Sequence, residues 1–94
     1  MTIVKAHYKV LGNLIHTRRK QMSLSQTDVG DFVGITKSMV SKWERGLHIQ
    51  NASISKVSRL CSLLDIDANL VLFNSEKIDI EDYKMYVSLY LKNL

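Results

Sequence analysis

The chain has 94 residues, 46% of them hydrophobic and 23% charged, which indicates one small globular domain and argues against disorder or a multidomain enzyme. One cysteine excludes an internal disulfide, and four glycines without any proline favour helices. No apolar run reaches the roughly 18 residues of a membrane span, and no secretory signal is evident, so we expect a cytoplasmic protein.

The net charge of +4 is unevenly distributed along the chain. Residues 1–50 carry eight cations and three carboxylates, a net charge of +5, whereas residues 51–94 carry five cations and six carboxylates, a net charge of −1. A basic half is typical of proteins that bind a polyanion, although solvated lysines alone give the same pattern. Nucleic acid is therefore a candidate partner that charge alone does not establish.

Periodic apolar positions predict a first helix over residues 8–21, with three cations at its C-terminal end. A second, shorter helix is expected to follow. Its predicted N-cap is Ser25, with Asp28 as the capping-box acid, and Gly34 is expected to end it in the left-handed conformation.

The connection to the third helix is very short, since only Gly34 and Ile35 precede Thr36, its expected N-cap. Helices joined this closely must cross steeply, so a small residue is needed where their backbones approach. Gly30 fits that requirement, although a glycine that the second helix merely tolerates is the alternative. The third helix is expected to stop at Gly46.

Ser53 is the expected N-cap of a fourth helix with a single apolar stripe, in which the only cysteine, Cys61, is expected to be a packing residue. Beyond Asp67 the apolar run at residues 69–73 predicts a buried strand. Within the chain only Thr2-Ile3-Val4 is otherwise strand-like, so pairing with a second subunit is favoured. The residues expected to form this homodimer are Leu70, Val71, Leu72 and Phe73.

Residues 80–94 predict an amphipathic helix, because apolar and aromatic residues recur there at helical spacing. One interpretation is that this helix packs over the core and the dimer contact. The other is that its tyrosines bind a partner protein. The sequence leaves both open.

Residues 26–45, QTDVGDFVGITKSMVSKWER, resemble the helix-turn-helix of the XRE class, to which lambdoid phage repressors and Cro belong. The similarity rests on Gly30, Gly34, Ile35, Val40 and Trp43-Glu44-Arg45-Gly46, and it extends over residues 11–26 and 53–66. It implies a mainly α, lambda-repressor-like domain at residues 8–67, followed by a strand and a helix at residues 68–94.

Three features depart from the family pattern: Cys61 where alanine is usual, Asp65 where a C-terminal glycine is usual, and no proline before the fourth helix. None of them lies in the elements expected to face DNA. The departures therefore bear on loop geometry rather than on function.

The resemblance implies that the third helix enters the DNA major groove. Outward-facing residues of that helix would otherwise be interpreted as ordinary solvated side chains. The implied base-contacting residues are Lys37, Ser38, Ser41 and Lys42. The expected phosphate-contacting residues are Ser25, Gln26, Thr27, Arg19, Arg45, His48 and Asn51. The family also implies a salt bridge between Arg19 and Glu44 that ties the first helix to the third.

The sequence lacks the parts of a catalytic or metal site. The histidines at positions 7, 16 and 48 have no cysteine or histidine neighbour at metal-ligand spacing. No phosphate-binding glycine loop or nucleophile motif is present. We therefore expect neither an enzyme nor a bound metal or cofactor.

Three functions remain open for a chain of this kind. The order of a helix-turn-helix and then a short strand resembles HipB-type antitoxins, which implies a dimer that represses its own operon at a palindromic operator and binds a toxin. A stand-alone repressor of a phage or mobile element is the alternative. A purely structural adaptor would show no salt-dependent DNA binding.

Overall fold

The structure, a computed structural model, describes residues 2–67 and 80–92, and within these ranges every regular element is a helix. Strands are absent from the described residues, so the fold is mainly α as predicted. Five α-helices lie in the described residues, and a 3-10 turn at Ile49–Asn51 leads into the fourth of them. The helices are α1 (Thr2–Gln21), α2 (Gln26–Val33), α3 (Lys37–Glu44), α4 (Ile54–Leu64) and α5 (Ile80–Lys92).

The predicted N-caps of α2, α3 and α4 are confirmed. Ser25 Oγ accepts the Asp28 backbone N–H at 3.0 Å, and the Asp28 carboxylate accepts the Ser25 N–H at 2.9 Å, which completes a capping box. These hydrogen bonds hold the pKa of Asp28 below its ordinary value. The hydroxyl groups of Thr36 and Ser53 accept the backbone N–H groups of Met39 and Lys56 and so cap α3 and α4, each by a single hydrogen bond. Local side-chain chemistry therefore fixes where each of these helices begins.

The first helix begins at Thr2, before the predicted start at residue 8. The Thr2-Ile3-Val4 segment, considered above as a strand, is therefore helical. β-Branched residues disfavour a helix by only tenths of a kcal/mol each. Each residue added to an existing helix also gains a backbone hydrogen bond, so a helix once formed extends through them.

One hydrophobic core joins the helices, and Leu14, Ile15, Val29, Val40 and Leu60 are among its fully buried members. Cys61 also lies in this core, and burial raises the pKa of its thiol, to which the charge of Asp67 adds. The thiol therefore stays protonated and packs as an apolar group.

Gly30 lies where the chain turns from α2 into α3. The structure supports the interpretation that its missing Cβ lets the backbones of the two helices approach closely, rather than the one in which α2 merely tolerates a glycine. A Cβ at this position would lie 2.6 Å from the carbonyl oxygen of Ile35. Gly34 ends α2 in the left-handed conformation at φ 89°, as predicted. The close turn from α2 into α3 thus depends on two glycines.

The crossing of α1 and α3 depends on Gly12, which the sequence analysis did not single out. A Cβ on Gly12 would lie 2.6 Å from the Glu44 carbonyl oxygen, 2.7 Å from that of Trp43 and 2.8 Å from the Gly46 nitrogen. The backbone of α1 therefore rests directly on the C-terminal end of α3. No other residue type fits there without displacing backbone.

Asp65 ends α4 in the left-handed conformation, with φ 53° and ψ 47°. A non-glycine residue is strained there, and a carboxylate next to a helix C-terminus is electrostatically unfavourable. We expect Asp65→Gly to raise the free energy of unfolding by about 0.5 to 1 kcal/mol, as measured by urea denaturation. Ser62→Gly, inside the same helix and exposed, is the control and is expected to be destabilising by a similar amount. Destabilisation by Asp65→Gly would contradict the role given to this backbone angle.

The last helix packs against α1 and contributes Val87, which is 7% exposed, to the core. The interpretation that this helix packs over the core is therefore confirmed for the part that carries Val87, whereas Met85 and Leu89 are exposed. The dimer residues predicted from sequence, Leu70, Val71, Leu72 and Phe73, lie outside the described residues, as does the whole predicted strand at 69–73.

Candidate nucleic-acid interface

The two faces of α3 differ as the sequence analysis predicted. Val40 and Trp43 are buried in the core, whereas Lys37 and Ser38 are exposed at the N-terminal end of the helix. The other two predicted base-contacting residues, Ser41 and Lys42, are half-buried. The most accessible part of α3 is therefore its first turn, which carries a lysine and a serine and no acidic residue.

The first group of predicted phosphate-contacting residues lies beside that turn. Ser25 and Thr27 are exposed and Gln26 is half-buried at the N-terminus of α2, where backbone N–H groups favour anions. Together they line an open cleft with Arg19, Lys20 and Lys37. This corner of the surface, the α2 corner, brings cations and helix N–H groups together.

The second group lies at the opposite end of α3. Arg45, His48 and Asn51 are exposed in the segment between α3 and α4, and they line a groove with Tyr8 and Lys9 of α1. His48 adopts the left-handed conformation at φ 65°. The predicted phosphate-contacting residues thus lie in two groups, one near each end of α3.

Arg19 and Glu44 form a buried ion pair between α1 and α3. Arg19 Nε donates to Glu44 Oε2 at 2.6 Å, and Arg19 Nη2 donates to Glu44 Oε1 at 3.0 Å. A third donor, Nη1, bonds the Leu24 carbonyl oxygen at 2.9 Å. Arg19 is 5% exposed and Glu44 8%. The bidentate geometry fixes α1 against α3 and leaves little of the guanidinium for a phosphate.

Two further side chains, which the sequence analysis did not connect with this pair, bond the same carboxylate. His16 Nδ1 lies 2.8 Å from Glu44 Oε1, and Gln26 Nε2 donates to that oxygen at 3.3 Å. Helical spacing places His16 one turn before Arg19, but nothing in the sequence shows that Glu44, the implied partner of Arg19, also contacts His16. Glu44 thereby joins α1 and α2 to α3.

Burial of Glu44 acts to raise the pKa of its carboxyl, but the hydrogen bonds from Arg19, His16 and Gln26 outweigh it and hold that pKa below its ordinary value. The charge of Arg19 acts in the same direction. Glu44 is therefore ionised at neutral pH and serves as an acceptor to all three donors.

Among residues 2–67 and 80–92, no three histidine, cysteine or acidic side chains converge in a way that fits a metal ion. In the same part of the chain, no helix combines the length and apolar character needed to cross a lipid bilayer.

Known proteins are similar to this chain in the region that contains α2, α3 and α4. A family model described as helix-turn-helix matches residues 15–71, which contain α2, α3 and α4 completely. The chain is also similar to the ImmF control region 10 kDa protein of Bacillus phage phi105, with 32% identity over 63 residues. That alignment covers 67% of this chain and 68% of the phage protein.

Proposed function

Because the chain belongs to the XRE-type helix-turn-helix family of DNA-binding transcriptional regulators, we propose that it represses transcription by occupying an operator with α3 in the major groove. The observation that carries this proposal is the exposed first turn of α3, with cationic and polar residues beside it at the α2 corner and a second such group beyond the C-terminal end of the helix. This is the arrangement that a helix needs if it is to reach base edges while its neighbours hold the phosphates.

Lys37 and Ser38 are proposed as the principal base-contacting residues, because both are exposed at the N-terminal end of α3. A lysine suits the O6 and N7 acceptors of guanine, and a serine hydroxyl donates to or accepts from either purine. Ser41 and Lys42 are proposed as additional base contacts of lesser weight, since both are less exposed than Lys37 and Ser38.

Phosphate contacts are proposed at the two flanks. At the α2 corner they come from Ser25, Gln26 and Thr27, and beyond α3 they come from Arg45, His48 and Asn51. Arg19 acts chiefly as the partner of Glu44, with any phosphate contact secondary. Such contacts supply salt-dependent affinity without sequence preference.

A homodimer on a palindromic operator is part of the proposal. Half-sites about 10 bp apart would each receive one α3. The residues proposed for dimerisation remain Leu70 to Phe73, in a C-terminal region of residues 68–94 that follows the DNA-binding domain of residues 8–67. We also expect the protein to be cytoplasmic, to have no catalytic activity and to bind no cofactor.

Of the two biological settings, we favour the stand-alone regulator of a phage or mobile element over the antitoxin. The relative named above is a control-region protein of a phage, and this is what supports the choice. The antitoxin setting requires a toxin partner. Co-purification of a neighbouring gene's product with the chain would reverse the preference.

Lys37→Ala and Ser38→Ala are each expected to weaken operator binding by about tenfold or more, since each removes one base contact. A duplex is first selected from a random-sequence library with the wild-type protein, and affinities are then measured by fluorescence anisotropy at two salt concentrations. Lys92→Ala removes one exposed cation from α5 and is the matched control, expected to leave affinity unchanged. Selection of no consensus, or equal affinity in all variants, would contradict the proposal.

A further inference from the structure

We propose that two lysines of α1, Lys9 and Lys20, are DNA phosphate ligands, one in each of the two groups of phosphate-contacting residues near the ends of α3. The inference deepens the proposed function and rests on it, because it adds two ligands to the same DNA interface. Neither lysine is among the contacts predicted from the sequence. Because both lie on one helix, the pair also sets the distance between two of the phosphates that the domain binds.

Lys20 is exposed at the C-terminal end of α1 and lines the cleft of the α2 corner together with Gln26. Two hydrogen bonds fix the turn that follows it. The Lys20 carbonyl oxygen accepts the Ser23 N–H at 3.0 Å, and Arg19 Nη1 donates to the Leu24 carbonyl oxygen at 2.9 Å. Lys20 is therefore held beside the N-terminus of α2, and a phosphate that Gln26 binds lies in the cleft that Lys20 lines.

Lys9 is exposed near the other end of the same helix and lines the groove that contains Arg45, His48 and Asn51. Its position is set by Gly46, which adopts the left-handed conformation at φ 79°. A Cβ on Gly46 would lie 2.9 Å from the Lys9 Cα atom, so the backbone of α1 contacts the residue directly after Arg45. A phosphate that Arg45 binds in this groove therefore lies beside Lys9 as well.

The two lysines differ from the arginines of α1 in their internal contacts. Arg18 Nε donates to the Leu64 carbonyl oxygen at 2.8 Å, and Arg19 binds Glu44. Within residues 2–67 and 80–92, by contrast, no carboxylate forms an ion pair with either lysine.

The two grooves combine like charges. Lys20 shares its cleft with Arg19 and Lys37, Lys9 shares its groove with Arg45, and no carboxylate is found among the described residues that line either one. Lysines that are merely solvated give no reason for this arrangement, because neighbouring cations repel one another. An anion that enters the groove removes that repulsion, which favours a phosphate as the occupant.

The two lysines lie on one edge of α1. Eleven residues make close to three full helical turns, so Lys9 and Lys20 project in nearly the same direction, about 16 Å apart along the axis. Between them Gly12 rests on the backbone of α3, and Arg19 binds Glu44 at the end of that helix. The spacing of the lysines is thus fixed relative to α3.

This spacing suits a helix that lies in the major groove. The eight residues of α3 extend over about 12 Å, and the major groove of B-DNA is about 12 Å wide. Phosphates border that groove on both sides. With one lysine near each end of α3, α1 can hold the backbone on either side of the groove that α3 occupies.

The test measures the affinity of Lys9→Ala and Lys20→Ala for the selected duplex between about 50 and 200 mM salt. Each variant is expected to bind about three to tenfold more weakly, and the slope of log affinity against log salt is expected to fall in magnitude by about 0.9, because one phosphate contact is lost. The double variant is expected to lose about 1.8 from the slope. Lys92→Ala removes the same charge from α5 and is the matched control, expected to leave the slope unchanged.

Two further readouts separate a phosphate ligand from a base contact and from a structural residue. Both alanine variants are expected to lose the same factor for the selected duplex and for a duplex of scrambled sequence, whereas Lys37→Ala lowers the ratio of the two affinities. Lys9→Arg and Lys20→Arg keep the cation and are expected to restore the salt slope. Urea denaturation is expected to give wild-type stability for both alanine variants, since both side chains are exposed.

Neutral methylphosphonate groups, placed one at a time in the selected duplex, identify the phosphates. The partner of Lys20 is the phosphate whose neutralisation weakens the wild type but not Lys20→Ala. A different phosphate is expected for Lys9. A single phosphate shared by the two lysines would contradict their separation of about 16 Å.

The outcomes are separable from those of the proposed function. Wild-type affinity and salt slope in either alanine variant would overturn the pair, and the regulator would stand if Lys37→Ala still lost binding to the selected duplex. Failure of the wild type to bind any duplex would overturn both.

Discussion

Glu44→Ala is expected to lower the free energy of unfolding by about 3 to 5 kcal/mol, enough to unfold much of a marginally stable domain. The reason is that Arg19 is 5% exposed and would keep its charge without the carboxylate that now binds it through two hydrogen bonds. Urea denaturation followed by circular dichroism measures the change. Asp31→Ala, which removes an exposed carboxylate from α2, is the matched control and is expected to have little effect.

The same pair can be tested by a double-mutant cycle. If Arg19 and Glu44 act as a unit, the double variant Arg19→Ala, Glu44→Ala will be less destabilised than the two single variants predict together, by about 2 to 3 kcal/mol. Simple additivity would refute the assignment of Glu44 as the residue that joins α1 to α3.

The acid dependence of stability is expected to follow from the same carboxylate. Its pKa is lower in the folded chain than the ordinary glutamate value of 4.5, so the unfolded state takes up its proton first. The stabilisation is therefore fully present above that ordinary value and is lost as pH falls through the folded pKa. The difference in stability between wild type and Glu44→Gln is expected to shrink from pH 7 to pH 3. A constant difference would contradict this.

Gly12→Ala is expected to destabilise the domain by about 3 kcal/mol, although alanine is the better helix former by about 1 kcal/mol. A Cβ at residue 12 would lie 2.6 to 2.8 Å from three backbone atoms of residues 43, 44 and 46, and backbone held in the core cannot rotate aside as a side chain can. Asn13→Ala, one residue further along α1 and exposed, is the control and is expected to be neutral or stabilising. Thermal unfolding of both variants gives the comparison.

The Gly12→Ala variant also bears on DNA binding. Since α1 rests on the C-terminal end of α3, any relaxation that accommodates the methyl group shifts α3 relative to α2. We expect the folded fraction of this variant to bind the selected duplex more weakly than the Asn13→Ala control. Full stability and full affinity in Gly12→Ala would show that the close approach of α1 and α3 is unnecessary.

The features that sequence alone predicted are those set by neighbouring residues. Helix caps and turns depend on atoms only a few residues apart, so the sequence alone predicts them. The examples are the capping box at Ser25, the caps at Thr36 and Ser53, and the left-handed turn at Gly34. The outward face of α3 also follows, because burial of Val40 and Trp43 fixes which residues remain outside.

The features that sequence did not reveal depend on residues distant along the chain. Gly12 meets residues 43–46, and His16 finds its acceptor at Glu44, 28 positions later. Each looks unremarkable within α1, since a helical glycine and a half-exposed histidine have many ordinary explanations. The predicted start of α1 at residue 8 is too late, because the β-branched residues at its N-terminal end disfavour a helix only locally, and the backbone hydrogen bonds of the growing helix outweigh that preference.

The docking of α5 against α1 is expected to be a late step in the folding of the domain. Contacts between α2 and α3 close a very short loop and form early, whereas contact of Val87 with the core joins segments from opposite parts of the sequence and closes a long one. During synthesis the face of α1 that packs against this helix therefore stays exposed to solvent until residues 80–92 have left the ribosome. For that interval we expect this uncovered apolar face of α1 to be a site at which a chaperone or another copy of the chain binds.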